Sequence, residues 1–532
     1  MLEFFARTDM LITDLLKKNA ERYGAEIALV ERDPAAGTRR TLTWSDFDLQ
    51  ADRLAGFLSS GAAGSGQAVV QLMTNCIEWL PVYFGILRSG SIAVPLNFRF
   101  DDQEILRCVQ VAEARAVVFG EEFADRLFAV KTDLDRTVNR YVFTGPAERC
   151  PEFACLLEDL LGGQTGAPTV LPTFSAEQVA AFYFTSGTTG RPKAVVLTHG
   201  NLASACEVEH RHHGQQKDDN FLCIPPLYHT GAKMHWFGNL KAGARAVILR
   251  GVQPEWILEA VSEERVTVVW LLVPWAHDIL IAVESGRLNL DDYRLHQWRL
   301  MHIGAQPVPP SLIRKWKRVF PGHEYDTNYG LTEASGPGCI HLGAENLHKV
   351  GAIGRPGHGW QCRIIDDRGL PAAVGVAGEL AVRGPGVMKE YYKNPAATAA
   401  ATVDGWLQTG DIARMDEDGF IWLVDRKKDV IISGGENIFP VEVEYFLMSH
   451  ADIQDAAVFG VADERLGEIV AAVVCPKPGR MLTDEALAAF CSRLPRYKRP
   501  RVFHFGEVPR NPTGKIEKPK LRRRYGSEDG DS

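Results

Sequence analysis

Tyr183 to Ala194 read YFTSGTTGRPKA. Hydroxyls, glycines and one lysine, Lys193, are packed behind an apolar run. That mixture suits an anion: glycines let backbone N–H groups approach phosphate oxygens with no Cβ in the way, hydroxyls add donors, and the lysine adds a point charge. The chemistry fits a polyphosphate. It is not the P-loop, whose spacing ends in Gly-Lys-Ser/Thr, because here Pro192 precedes the lysine. A flexible Gly/Thr loop with no ligand is the bland alternative, and the density of donors argues against it. Other candidates are weaker alone. Lys515 follows Pro-Thr-Gly as a turn lysine would, Asp411 closes the turn-like TGD, and His229 sits between Tyr228 and Thr230 as a structural histidine could.

The flanking segments must position these groups. AAFYF reads as a buried strand and VVLTHGNL as strand then helix, which puts the loop at the carboxyl end of a strand, where α/β sheets bind ligands. QAVVQLM, the helical EWLPVYFGILRSG, SIAVPLN, ARAVVFG, ARAVILRG and VTVVWLLVP continue the alternation, which implies α/β layers on largely parallel sheets. From about Gly378 the texture changes to period-two alternation with DEDG at a turn, an antiparallel meander in a β subdomain spanning about 350–424. After DRKKD, a helix near PVEVEYFLMSH, strands in DAAVFGV and EIVAAVVCP, and a helix in DEALAAFCSRL make a small α+β domain. The RRRYGSEDGDS tail reads as frayed, and the N-terminal segment as an amphipathic surface helix.

Composition bounds the class. The chain has 532 residues, 45% hydrophobic and 24% charged, with a net charge of −8. Lys and Arg are spread along it, which excludes a basic stripe for nucleic acid. Ten scattered cysteines form no metal-ligand set and read as reduced thiols, so a cytoplasmic location is expected. The longest apolar run, Val266 to Ala276, is too short to cross a bilayer, and no integral membrane association is expected. A homodimer stays open.

The phosphate-type loop resembles the signature of the adenylate-forming superfamily: acyl-CoA synthetases, peptide-synthetase adenylation domains and firefly luciferases. Further motifs follow in the family's order: LRSGSIAVPLN, PLYHTGA, IGAQP, NYGLTE, GELAVRGPGVMKEYY, TGD, DRKKDVIISGGENIFPVEVE and PRNPTGKI. The resemblance covers nearly the whole chain. It implies a multidomain α/β fold: a large N-terminal domain over 1–424, with two α/β subdomains and a β-barrel-like subdomain, a hinge at 425–428, and a small mobile α+β domain over 429–532.

The resemblance also implies a reaction in two halves and a role for each residue. A carboxylate attacks the α-phosphorus of ATP to give acyl-AMP and pyrophosphate; two anions must meet, so neutralising charge matters most. Lys515 matches the lysine that bridges carboxylate and phosphate oxygens. Thr185, Ser186, Gly187, Thr188, Thr189, Gly190 and Lys193 match the triphosphate grip. Glu333 matches the Mg2+ ligand, helped by Thr185, since a hard cation wants oxygen donors. Ala305, Asn328, Tyr329, Gly330 and Thr332 would surround adenine and AMP, Asp411 would bond the ribose with help from Arg426, and His229 would lie by the acyl carboxylate. In the second half the thiol of coenzyme A reaches the acyl carbonyl. The small domain swivels about Lys428, Lys515 leaves, and Gly434 and Gly435 arrive with room for a pantetheine arm. Lys498 and Arg499 offer charge for the coenzyme's phosphates. Ala194, after Lys193, stands where the family usually has glycine.

Peptide-synthetase domains hold their substrate's amino group with an Asp shortly after the PLYH-like motif, and HTGAKMHWFGNL offers none. The expected activity is therefore an AMP-forming acid:CoA ligase using ATP, Mg2+ and coenzyme A. An acyl-AMP ligase with a different acceptor and a non-catalytic nucleotide-binding relative are the alternatives. Expected pocket positions are Lys233, Trp236, Trp275, His302 and Ile303, a mix of aromatic and polar groups that suits a medium-sized aliphatic, alicyclic or aromatic acid. Lys233, in an otherwise apolar stretch, either pairs with a second polar group on the acid or snorkels to solvent.

Overall fold

The computed structural model describes residues 10–60, 65–162, 173–186, 192–305, 308–510 and 516–525. Two large sheets carry the N-terminal part. One has seven strands, ordered Glu324–Asp326, Leu300–Gly304, Val268–Leu272, Asn220–Cys223, Arg245–Leu249, Ile27–Asp33 and Thr38–Thr43, all parallel except the last. Its inner strands are buried on both faces, as unbroken apolar runs such as VVWLL require. The other has eight strands, and the strand before the phosphate-type loop, Val179–Ser186, pairs antiparallel with Pro192–Thr198 after it. The loop therefore joins two antiparallel strands, and only after Thr198 does the chain enter the His199–His213 helix.

That helix is set by local chemistry. Thr198 Oγ1 accepts from Asn201 N at 3.2 Å while Asn201 Oδ1 accepts from Thr198 N at 2.9 Å, a capping box, and Gly214 closes the other end at φ 56°. The Thr230–Ala242 helix begins at His229 and ends at Gly243, φ 71°. It is buried on nearly every side, which explains its lack of an amphipathic pattern.

The β subdomain is the meander expected. Gln361–Ile365, Gly378–Arg383, Trp406–Met415, Thr402–Val403 and Ile421–Arg426 form one five-stranded antiparallel sheet, with DEDG at the turn between its last hairpin strands. The sheet is open; among the described residues no closed barrel forms. The C-terminal part has its own five-stranded sheet around Ile453–Asp463 and Gly467–Pro476, covered by the Pro440–Met448 and Asp484–Cys491 helices. Part of the tail expected to fray is a helix, Lys518–Tyr525, held by Arg522 on Asp429 at 3.0 Å and by Tyr525 stacked on His504. The N-terminal helix, Ile12–Tyr23, likewise buries Ile12 and Leu16. No helix of the described residues is long and apolar enough to cross a membrane.

Candidate functional site

The phosphate-type hairpin brings three distant motifs together. Thr185 and Lys193 are opposite each other across it. On the other edge of the second strand, Glu390 and Tyr391 pair with Val196 and Val195. Tyr391 then bridges two candidate residues: its hydroxyl donates to Glu333 Oε1 at 2.8 Å, and Lys193 Nζ lies 5.0 Å from its ring centre. Met388 N donates to the Glu333 carbonyl at 2.8 Å, fixing the 3-10 turn Thr332–Ala334 that presents the carboxylate. Glu333 and Thr185 are hard oxygen donors of the kind Mg2+ prefers. Ala194 is not in the loop but in the strand, its methyl buried in the core with Phe182 and Val196. Residues 187–190, the side chain of Ser186, and Lys515 lie outside the described residues.

A second group forms where two β elements meet. Tyr329 donates its hydroxyl to Asp411 Oδ2 at 2.5 Å, and Arg426 Nε stands 3.4 Å from Asp411 Oδ1. Asp411 and Arg426 are register partners on the β meander, so the pairing is built into the sheet. Burial and then the Asp411 charge push the Tyr329 hydroxyl well above its ordinary pKa, keeping it a donor. Gly304 and Ala305 end the Leu300–Gly304 strand, and Ala305 holds φ 67°, a left-handed backbone that a non-glycine residue adopts at a cost of roughly 1–2 kcal/mol. Gly330 and Thr332 border the strand and turn that carry Tyr329 and Glu333, and all four are partly or largely covered. His229 is half-buried at the start of its helix, its ring 4.2 Å from Tyr228.

The expected acid-pocket residues divide sharply. Trp236 and Ile303 are fully buried core groups, Trp236 against Phe47 and Phe84. Trp275 is half-buried at the edge of the same core as Ile303. Lys233 does not snorkel: it is 0% exposed, its Nζ has no hydrogen-bond partner among the described residues, and the rings of Tyr183, Tyr83 and Trp79 surround it at 4.4, 4.8 and 5.7 Å. Burial lowers its pKa well below that of an ordinary lysine.

His302 belongs to a buried histidine–carboxylate network. His213 bridges two acids, Nδ1 3.2 Å from Glu209 Oε2 and Nε2 3.2 Å from Asp326 Oδ2. His235 Nδ1 donates to Glu209 Oε2 at 2.8 Å, His302 Nδ1 lies 3.1 Å from His213 Nε2, and His341 Nδ1 lies 3.4 Å from Asp326 Oδ2. Burial alone would raise both carboxylates, but the adjoining imidazoles hold Glu209 and Asp326 well below the carboxylate range. Burial would lower His213, yet Glu209 and Asp326 win and raise it, so of the rings here this is one the acids favour in its charged form. His302 Nδ1 stands 3.8 Å from Asp326 Oδ2, but burial outweighs that acid and pushes the ring down to about 3, so it stays neutral. By composition, His213 with either His235 and His302 or Asp326 and His341 could hold a transition metal. The shortest contacts run as a chain through His213 Nε2 and Asp326 Oδ2, however, which is the geometry of a hydrogen-bonded relay.

In the C-terminal part, Lys428 is exposed in the turn Lys427–Asp429, next to Asp425, whose Oδ2 accepts from Val441 N at 2.8 Å. Gly434 and Gly435 make an exposed turn at φ 60° and 86°. Lys498 pairs with Glu442 at 2.7 Å, and Arg499 donates to the carbonyls of Leu494 and Ser492 at 2.8 and 2.6 Å, so both cations have local partners. A cleft of about 700 Å³ lined by Glu26, Lys217, Asp219 and Thr267 lies at the amino ends of the parallel strands, away from all the motif residues.

Residues 16–392 match the AMP-binding enzyme family and residues 442–515 its C-terminal domain. The chain belongs to the AMP-binding enzyme family. It is 34% identical over 489 residues to a feruloyl-CoA synthase from Amycolatopsis sp, covering 91% of this chain and 94% of that protein. A 2-succinylbenzoate–CoA ligase from Bacillus cytotoxicus is 32% identical over 459 residues, 86% of this chain and 88% of the relative. Among solved structures, o-succinylbenzoate CoA synthetase from Bacillus subtilis, in complex with its acyl-adenylate intermediate, superposes with a TM-score of 0.82 at 25% identity, over 97% of this chain and 99% of that one. The motif residues identified by resemblance thus sit within a fold shared along almost the entire chain. Sequence reasoning missed Tyr391, although it lies in the quoted GVMKEYY. It also missed Glu209, His213, His235 and Asp326; Glu209 and His213 are an i,i+4 pair on one helix, a spacing that could have been noticed, whereas His235 and Asp326 lie far along the chain from them, Asp326 two residues before Asn328.

Proposed function

We propose that this member of the AMP-binding enzyme family is an ATP-dependent acid:CoA ligase for an aromatic or other medium-sized carboxylic acid. The observation that carries the reading is the joining of Lys193, Tyr391 and Glu333 beside the phosphate hairpin, with Tyr329, Asp411 and Arg426 forming a second group. Lys193 and the hairpin grip the triphosphate. Glu333, oriented by Tyr391 and helped by Thr185, holds the Mg2+ that neutralises phosphate charge when bound. Asp411 and Arg426 take the ribose hydroxyls, Tyr329 and the Gly304–Ala305 backbone border adenine, and Lys515 stabilises the charge that develops as carboxylate meets the α-phosphorus. His229 lies beside the acid's carboxylate and clears a path for the thiol.

Rotation about Lys428 then exchanges the face carrying Lys515 for the one carrying Gly434 and Gly435, with residues 1–424 and 429–532 as the two bodies. Lys498 and Arg499 would exchange their present partners for the coenzyme's phosphates. The ten free cysteines fit a reducing, cytoplasmic setting. The feruloyl-CoA and succinylbenzoate–CoA relatives support an aromatic acid. The test is AMP release from ATP across a panel of aromatic and aliphatic acids, with and without coenzyme A. The expected result is AMP and an acyl thioester formed only with both acid and coenzyme. Acyl-AMP accumulating regardless of coenzyme A would make the chain an acyl-AMP ligase, and no AMP with any acid would make it a nucleotide-binding relative.

A further inference from the structure

Three polar atoms from three different strands converge above Gly304. A Cβ built on that glycine would lie 3.7 Å from Trp270 Nε1, 3.9 Å from Asn328 Oδ1 and 4.0 Å from His302 Nε2. Trp270 stands on Val268–Leu272, His302 on Leu300–Gly304 and Asn328 at the start of Asn328–Leu331. Two of the three are buried with no hydrogen-bond partner among the described residues, namely Trp270 Nε1 and His302 Nε2. Buried polar groups are nearly always satisfied, so two orphans on one small region point to a ligand atom.

The surrounding network fixes what each atom offers. An indole nitrogen only donates. His213 Nε2 faces the Asp326 carboxylate at 3.2 Å, which only accepts, so that nitrogen is a donor; it also faces His302 Nδ1 at 3.1 Å, which leaves the His302 proton on Nε2, where it donates. Asn328 Nδ2 faces Glu209 Oε1 at 3.3 Å, an acceptor, which turns the Asn328 oxygen toward Gly304. The region therefore presents two donors and one acceptor. A hydroxyl, with two lone pairs and one proton, is the complementary group. An ether or carbonyl would leave Asn328 Oδ1 facing another acceptor. A carboxylate would meet Asn328 Oδ1 and the nearby Glu209 and Asp326, and an amine would meet two N–H groups.

We propose that the side chains of Trp270, His302 and Asn328 form a subsite for a hydroxyl carried by the acid at the end remote from its reacting carboxylate, so that adenine is left to Tyr329 and the Gly304–Ala305 backbone and not to the Asn328 amide. The inference rests on the ligase reading above and narrows its substrate class. His229 begins the helix that carries His235, whose Nε2 is 3.5 Å from Asn328 Nδ2; the two positions are six residues apart, a rise of about 9 Å along the helix axis. That separation suits an aromatic ring bearing the hydroxyl and joined to the carboxylate by a short chain. The network below, with Glu209 holding His235 and Asn328 while His213 sets the His302 proton, makes those residues positioning groups for the subsite.

The test pairs 4-hydroxycinnamic acid with cinnamic acid, as substrates and as their non-reactive acyl-sulfamoyl adenosines, in wild type and Trp270→Phe. The Phe substitution removes the N–H while keeping an aromatic ring. Wild type is expected to favour the hydroxylated member by roughly 10- to 100-fold in kcat/KM and in Kd, since the analogue lacking it leaves the buried donors unpaired. Trp270→Phe is expected to bring that ratio to within about threefold, chiefly through KM. A wild type that treats both acids alike would overturn the subsite, as would a Trp270→Phe enzyme that loses both acids equally and keeps the ratio. Failure of either sulfamate to bind, together with no AMP release from any acid, would overturn the ligase reading and the subsite with it.

Discussion

Acidification should unpick the buried histidine network, and His302 gives the size of the effect. The ring is 0% exposed and burial holds its pKa at about 3, whereas in the unfolded chain it titrates near 6.5. The folded pKa is depressed, so below 6.5 the unfolded chain binds a proton that the folded one does not. The stability due to the neutral ring is complete above about 6.5 and is lost as pH falls toward 3. Between pH 7.5 and 5.5 the unfolded ring goes from one-tenth to tenfold protonated relative to neutral, which removes about 1.4 kcal/mol. His302→Gln keeps a polar group of similar reach and cannot titrate. His213, whose raised pKa works in the opposite direction, is present in both proteins and largely cancels in the comparison. Urea unfolding followed by tryptophan fluorescence at the two pH values measures the double difference. Wild type should lose about 1.4 kcal/mol more than His302→Gln over that interval. Equal losses, or a smaller loss in wild type, would refute a neutral His302 and with it the proton assignment for the network.

Lys233→Met should stabilise the protein at pH 7 by at least about 1 kcal/mol, because it replaces a buried amine with no hydrogen bond among the described residues by an apolar group of similar length. The lowered lysine pKa means that wild-type stability climbs with pH toward 10.5, so the gain from Met should shrink between pH 7 and 9.5; a variant less stable than wild type at pH 7 would count against it. Tyr391→Phe removes the hydroxyl on Glu333 while keeping the ring beneath Lys193. It should raise the Mg2+ concentration for half-maximal pyrophosphate release by about 10-fold, as outer-shell substitutions do, and a change confined to the KM for coenzyme A would contradict the assignment of Glu333.

The layers of the fold were legible because strands such as QAVVQLM and VTVVWLLVP are short unbroken apolar runs, and period two resumes in the β meander. The resemblance placed Thr185, Lys193, Glu333, Tyr329 and Asp411 on segments that do come together. What stayed hidden depends on long-range register. Nothing near Tyr391 announces that a two-residue strand will pair with Val195 and Val196. The relay of Glu209, His213, His235, His302 and Asp326 draws on two helices and two strands, and each member by itself reads as an ordinary polar residue. Trp236 and Ile303 read as pocket groups because they lie beside the motif segments; the structure buries both in the core, Trp236 on a helix covered on nearly every side. Lys498 and Arg499 form a basic run in sequence, but Glu442 and two carbonyls already engage them.

The short ladder between Glu390–Tyr391 and Val195–Val196 gives the phosphate hairpin a mechanical partner. The strand that carries Lys193 cannot shift along its axis without dragging Tyr391, and Tyr391 is bonded to the Glu333 carboxylate. In the proposed ligase, cation and phosphate contacts would thereby be geared to one another. A nucleotide that drew the hairpin inward would draw the Glu333 carboxylate with it, and release of pyrophosphate would slacken both at once.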